Sequence, residues 1–208
     1  MATAAHFIAI ALAGGDWMPL SRLAVPALPA AVLAAAHVAS VAHPLVTAAR
    51  LAIALSGEAF VFVRMGPVAA KVMENRLYVI EELRAPLQKS RVVAAVDIGW
   101  LGAATNATIV DLAGVTDPSI AALPGGHTTK QIPPTLLDAR NVDTLVLLLE
   151  GDAPLATPWT ESRFARGVEQ RIAFFPDIAA EFSPVAVSRE PHLRYVVLER
   201  VSTAQARR

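Results

Sequence analysis

The residues with the clearest chemical potential are acids at the ends of apolar runs. Asp97 closes the run Arg91–Asp97 (RVVAAVD), Asp111 closes Ala107–Leu112 (ATIVDL) from within, and Asp117 follows in the next loop. Acids at the carboxyl ends of strands commonly line ligand crevices in open α/β sheets. Three carboxylates near one sheet edge would suit a polyhydroxyl ligand or a cation, although Asp at strand ends and helix caps also serves purely structural turns. The loop Leu123–Lys130 (LPGGHTTK) is the most glycine-permissive stretch of this part of the chain. Gly125 and Gly126 allow positive φ, and His127, Thr128, Thr129 and Lys130 supply donors for an anion or a glycan. The loop lacks the GxxxxGK[ST] spacing of a phosphate-binding P-loop.

No nucleophile elbow, no His-x-x-x-His and no Glu-x-x-His pair occurs, and His6, His37, His43, His127 and His192 are scattered. Nothing in the spacing calls for a metal or a cofactor, and no complete set of catalytic residues is visible. The absence of cysteine removes disulfides, thiolate catalysis and Cys-based metal sites together. Asn106-Ala107-Thr108 matches a glycosylation sequon, a pattern too short to weigh.

These candidates depend on elements that the apolar pattern predicts. Arg91–Asp97, Ala107–Leu112 and Asp143–Leu149 read as buried strands, continuous rather than alternating, as parallel strands are. Ser56 to Lys89 reads as a helix punctuated by Gly66-Pro67 and ended by Pro86, with Val68, Val72, Val79, Ile80 and Leu83 facing the sheet. Asp117-Pro118 opens a short helix, Pro133-Pro134 opens another, and Glu161–Phe174 is a third. Val185–Ser188 and Arg194–Val201 form a closing antiparallel pair. The order predicts a small mixed sheet with helical cover, an α/β domain over 56–208 opened by a long amphipathic helix.

Residues 1–55 have a different character. Before Arg50 the only formal charges are Asp16 and Arg22, both within Gly14–Arg22 (GGDWMPLSR). Across all 208 residues, 17% are charged and 54% hydrophobic, mean hydropathy is +0.47, and 18 basic residues balance 18 acidic ones. The balance, without a basic tract, speaks against a nucleic-acid surface. Leu23–Ala49 carries no formal charge and exceeds the ~20 residues that cross a hydrocarbon core. Its apolar members contribute only roughly −0.3 to −0.6 kcal/mol each, and Pro26, Pro29, Pro44, His37 and His43 offset part of that. Such a segment suits one member of a larger membrane bundle, where small residues allow close helix contact, better than a lone anchor. Met1–Ala13 has no Lys or Arg to begin a signal peptide. Gly-Gly-Asp-Trp suits a membrane interface, with Asp16 and Arg22 able to meet a phosphate or polar glycan.

Three pieces together carry a family resemblance: GGDWMPLSRLAVPALP, VVAAVDIGWLGAATNATIVDLAGVTDPSIAALPGGHTTK and NVDTLVLLL, spanning Gly14 to Leu149. The most distinctive parts are GGDW and DLAGVTD. These resemble the carboxyl-terminal region of bacterial polytopic membrane glycosyltransferases. The family comprises arabinofuranosyltransferase-like and mannosyltransferase-like enzymes that use polyprenyl-phosphate sugars. The resemblance implies a final set of membrane helices leading into a small extracytoplasmic α/β domain. It places Asp16 and Arg22 near the lipid-phosphate side and implies a polyprenyl-phosphate sugar or a glycan acceptor as partner.

In that family the catalytic acid lies in a first external loop near the amino terminus, which this sequence does not match. The resemblance therefore implies a carboxyl-terminal piece or a stand-alone relative that does not catalyse transfer alone. Membrane lipid and an upstream membrane-helix partner, or a second copy, complete the expected partners. The ligand-contact candidates are Asp16, Arg22, Asp97, Asp111, Asp117, His127 and Lys130. The alternative reading is a soluble α/β binding or scaffolding protein whose apolar head is a self-associating hairpin.

Overall fold

A computed structural model of the chain describes residues 5–9, 26–190 and 193–201. It divides into two compact units, Met1–Pro67 and Val68–Arg208. In the first, residues 5–9 are helical, and α1 (Leu28–Val41) leads through Ala42-His43 into α2 (Pro44–Leu87). Helix α1 has Pro29 in its first turn, where a missing N–H costs nothing, and it buries no residue. Helix α2 is longer than the expected Ser56–Lys89 helix and runs through Gly66-Pro67. Pro67 removes one intrahelical hydrogen bond, and the division between the units falls at this residue.

Among the described side chains of α2, only those of its last turns belong to a core. Val79, Leu83 and Leu87, four residues apart, are fully buried. Val68 and Val72, expected on the same face, are about half exposed at 52% and 53%. The apolar pattern extends along the helix further than the sheet does, and the sheet covers only its carboxyl-terminal turns.

Among the described residues the second unit contains five strands: β1 (Val92–Ala95), β2 (Thr108–Asp111), β3 (Thr144–Leu148), β4 (Phe182–Val187) and β5 (Tyr195–Arg200). Their order is β2-β1-β3-β5-β4, with β1 parallel to β2 and β3, and β5 antiparallel to β3 and β4. The expected mixed α/β sheet is therefore present. Period-two alternation sends Ala94, Leu145, Leu147, Val196 and Leu198 to one face and Val93, Ala95, Val146, Tyr195 and Val197 to the other.

The first face is covered by α4 (Pro118–Ala121), α5 (Pro134–Ala139), α6 (Gly167–Phe174) and α7 (Pro176–Glu181), with Trp159 and Phe164 filling between them. The second is covered by the end of α2 and by α3 (Ile98–Ala104), through Trp100, Leu101 and Ala104. Residues 98–104 contain Gly99 and Gly102 and read as a turn, yet burial of this apolar face makes them helical. The expected Glu161–Phe174 helix is shorter, a 3-10 turn at Trp159–Glu161 and then α6, because Ser162–Arg166 is extended and bridges Leu149 through Phe164.

Candidate functional site

The carboxyl edge of the sheet gathers the most charge. Asp97, two residues past β1, lies between two arginines and a tyrosine. Its Oδ2 accepts the Tyr195 hydroxyl at 2.5 Å, pairs with Arg76 of α2 at 2.8 Å and with Arg166 at 3.5 Å. Arg76 also donates to the Tyr195 oxygen at 2.8 Å, so the phenol donates to Asp97 while accepting from the arginine. Arg166, immediately before α6, donates to Glu169 Oε1 at 3.0 Å, and the Leu148 N–H at the end of β3 donates to the same oxygen at 3.1 Å. The chain Glu169–Arg166–Asp97–Arg76 thus joins α6 on one sheet face to α2 on the other, around the strand ends.

The electrostatics follow from burial. Glu169 is fully buried, and loss of water raises its carboxyl from 4.5 to about 7 against the opposing pull of Arg166 and the Leu148 N–H. Burial and the Asp97 charge push the Tyr195 hydroxyl up to about 12, so it stays protonated and remains a donor. Burial alone would lower Arg166, but Glu169, Tyr195 and Asp97 outweigh it and raise its pKa. Among the described residues of this unit, two buried side-chain polar atoms lack partners, Glu169 Oε2 and Trp100 Nε1. Trp100 packs on Tyr195 with ring centres 4.9 Å apart. The arrangement holds a carboxylate and two guanidiniums in fixed positions, a polar junction able to orient hydroxyl or anionic groups at its rim.

Of the sequence candidates that the structure describes, Asp97 alone enters this junction. Asp111 is buried, and its oxygens accept the Ala113 N–H at 2.9 Å, the Thr116 N–H at 2.6 Å and the Thr116 hydroxyl at 3.0 Å. Asp117 caps α4, accepting from the Ser119 and Ile120 N–H groups, and pairs with Arg140 at 3.0 Å. The Ser119 hydroxyl bond, with the backbone bonds and Arg140, lowers the Asp117 pKa. Gly114, at φ +73°, passes so close to α4 that a Cβ would lie 2.6 Å from the Ala121 nitrogen. Asp111, Gly114 and Asp117 therefore shape one turn, which gives the DLAGVTD run a structural reason.

Lys130 is buried, with its ammonium on the carbonyls of Ala121 and Leu123 at 2.6 and 2.9 Å, where it closes the end of α4. The surrounding loop is fastened by Arg171 to the Thr129 and Lys130 carbonyls and by the Val168 N–H to the Thr128 carbonyl. His127 is exposed on it. Asp16 and Arg22 lie outside the described residues. Sequence reasoning misses Arg76, Arg166, Glu169 and Tyr195. They come from three separate parts of the chain, α2, the start of α6 and β5, and only Glu169 gives a usable sign, an acid on the apolar face of α6 beside Val168 and Ile172.

The fold and this junction define a mixed-sheet α/β domain with a charged carboxyl edge, entered by a helix that is also long and apolar enough to cross a membrane. The chain belongs to a family described as a domain of unknown function (DUF8728), whose model matches residues 69–199, more than half of the chain. The match coincides with the α/β unit. No curated protein and no solved structure matches the chain.

Proposed function

We propose that this chain is a membrane-embedded helical segment with an extracytoplasmic α/β domain from a glycosyltransferase-like protein of cell-envelope glycan assembly. In this reading it contributes binding and support rather than sugar transfer. The observation that carries it is α2. One helix exposes Leu45, Ile53, Phe62 and Val63 at 70% or more, then buries Val79, Leu83 and Leu87 completely in the α/β core. Exposed apolar surface of this extent needs a cover, and lipid is the simplest one. The glycosyltransferase connection rests on the sequence resemblance. The carboxyl-edge junction around Asp97 is the contact point for a glycan acceptor or for neighbouring helices.

The test uses the absence of cysteine. Val115→Cys, at a site 76% exposed, is expected to react with a membrane-impermeant maleimide on intact cells, and the chain is expected to resist carbonate extraction. Protection of the introduced thiol until lysis would overturn the extracytoplasmic placement. Release by carbonate as a defined oligomer without detergent would favour the soluble, self-associating hairpin. A specific observation supports that second reading: Arg50 and Glu58 interrupt the apolar stretch and form no ion pair with any described residue. Turnover of a polyprenyl-phosphate sugar by the purified chain alone would overturn the accessory role.

A further inference from the structure

The opposite, amino edge of the sheet carries a cleft of about 410 Å³, inside the ~300–1,000 Å³ range of small-molecule sites. Arg84 and Gln88 line it from the end of α2, Ser90 and Arg91 from the entry to β1, Asn106 from the α3–β2 loop and Thr108 from the start of β2. Its lining holds two guanidiniums and no carboxylate. The side chains of Gln88, Asn106 and Thr108 have no hydrogen-bond partner among the described residues. Arg84 reaches Glu81 only at 3.9 Å and Arg91 reaches Asp143 at 3.5 Å, in both cases through Nε, which leaves their terminal nitrogens uncommitted. Asp143 is itself occupied by the N–H groups of Arg91 and Val92 and by the Thr144 hydroxyl.

The lining is therefore net positive, with two full charges and otherwise only neutral carboxamide and hydroxyl groups. A neutral sugar takes no charge assistance from two guanidiniums, whereas a phosphate offers them several anionic oxygens and asks only for donors. Guanidinium nitrogens, carboxamide N–H groups and a hydroxyl match that demand, the guanidiniums with charge assistance. The ends of α2 and α3 oppose an anion with roughly half a negative charge each, against two full positive charges. Part of that opposition is already quenched, because the Leu87 carbonyl accepts the Thr105 hydroxyl at 3.0 Å and the Ser90 N–H at 3.2 Å.

We propose that this amino-edge cleft binds a phosphate group, carried either by a soluble sugar phosphate or by a lipid headgroup. The inference stands apart from the membrane reading and from the carboxyl-edge junction. The test is 31P NMR of the full chain in nonionic detergent micelles, with glucose 1-phosphate in one arm and phosphatidylglycerol mixed into the micelles in the other. Wild type is expected to broaden at least one of the two signals, and which one broadens identifies the source. Arg84→Gln with Arg91→Gln, both at exposed side chains, is expected to weaken binding at least about tenfold with unchanged melting. Asn106→Ala is expected to weaken it about threefold, the smaller loss of a neutral donor. Broadening of neither signal, or broadening that persists in the double variant, would overturn the proposal. Carbonate extraction is indifferent to this outcome, so the two readings fail separately.

Discussion

At the scale of single residues, Glu169 is the group whose environment departs most from water. Below about pH 4.5 its carboxyl is protonated whether the chain is folded or unfolded, and it adds no pH dependence. Between 4.5 and about 7 the unfolded chain ionises this group while the folded chain resists. The folded state then binds the extra proton, so stability falls as pH rises through that window, by at most about 3 kcal/mol. Glu169→Gln keeps a carbonyl oxygen for the Leu148 N–H and removes the titration. The expected result is a flatter dependence of melting temperature on pH between 5 and 7, read by circular dichroism. An unchanged slope would place the titrating group elsewhere. Asp97 is legible as an acid at a strand end, because a continuous apolar run ending in Asp has few other readings. Its partners are not: Arg76 lies 21 positions before it and Tyr195 98 positions after, and nothing local marks an arginine that will be drawn to a distant carboxylate.

Among the elements, the strands are the most legible, because β1, β2 and β3 are short runs of Val, Ile, Leu and Ala bounded by polar residues. Helix α3 is hidden by two glycines, each less favourable than alanine by about 1 kcal/mol in a helix interior. Burial of Trp100, Leu101 and Ala104 overrides that preference. Helix α7, six residues opened by Pro176, is too short to show a period. The extent of α2 escapes the pattern for another reason: its apolar residues serve two surroundings, and periodicity does not say which. This distinction is measurable. Leu83→Ala removes a side chain that is 1% exposed and is expected to destabilise the α/β unit by about 2–5 kcal/mol in denaturant unfolding. Val72→Ala, on the same helix but 53% exposed, is expected to change the same transition by less than about 0.5 kcal/mol. Equal losses at the two positions would mean that the exposed stretch packs against something within the chain after all.

For the molecule as a whole, the main physical tension is the charge within an apolar helix pair. The groove between α1 and α2 is lined by Ala34, Ala35, Val38 and Ala39 on one side and by Thr47, Arg50, Leu51 and Ala54 on the other. Small residues there permit close helix approach, the packing favoured in lipid. Arg50 lines that groove, and Glu58 lies eight residues along α2, about two turns away. A charged side chain at the centre of a membrane helix costs about 2.5–3.5 kcal/mol on insertion scales. If lipid covers this helix, Arg50→Leu with Glu58→Leu should therefore increase the fraction of chain that resists carbonate, because two opposing contributions disappear while the apolar surface grows. If a soluble oligomer covers it, the same double substitution should cause precipitation or larger assemblies without any gain in membrane retention, since the two charges then serve solubility. Partitioning between carbonate pellet, detergent-free supernatant and aggregate, compared with wild type, reads both outcomes in one experiment. A third result, no change in any fraction, would remove these charges from the energetics of cover altogether. Arg50 and Glu58 would then have to sit at the rim, where water reaches them and the surrounding apolar side chains alone decide the location.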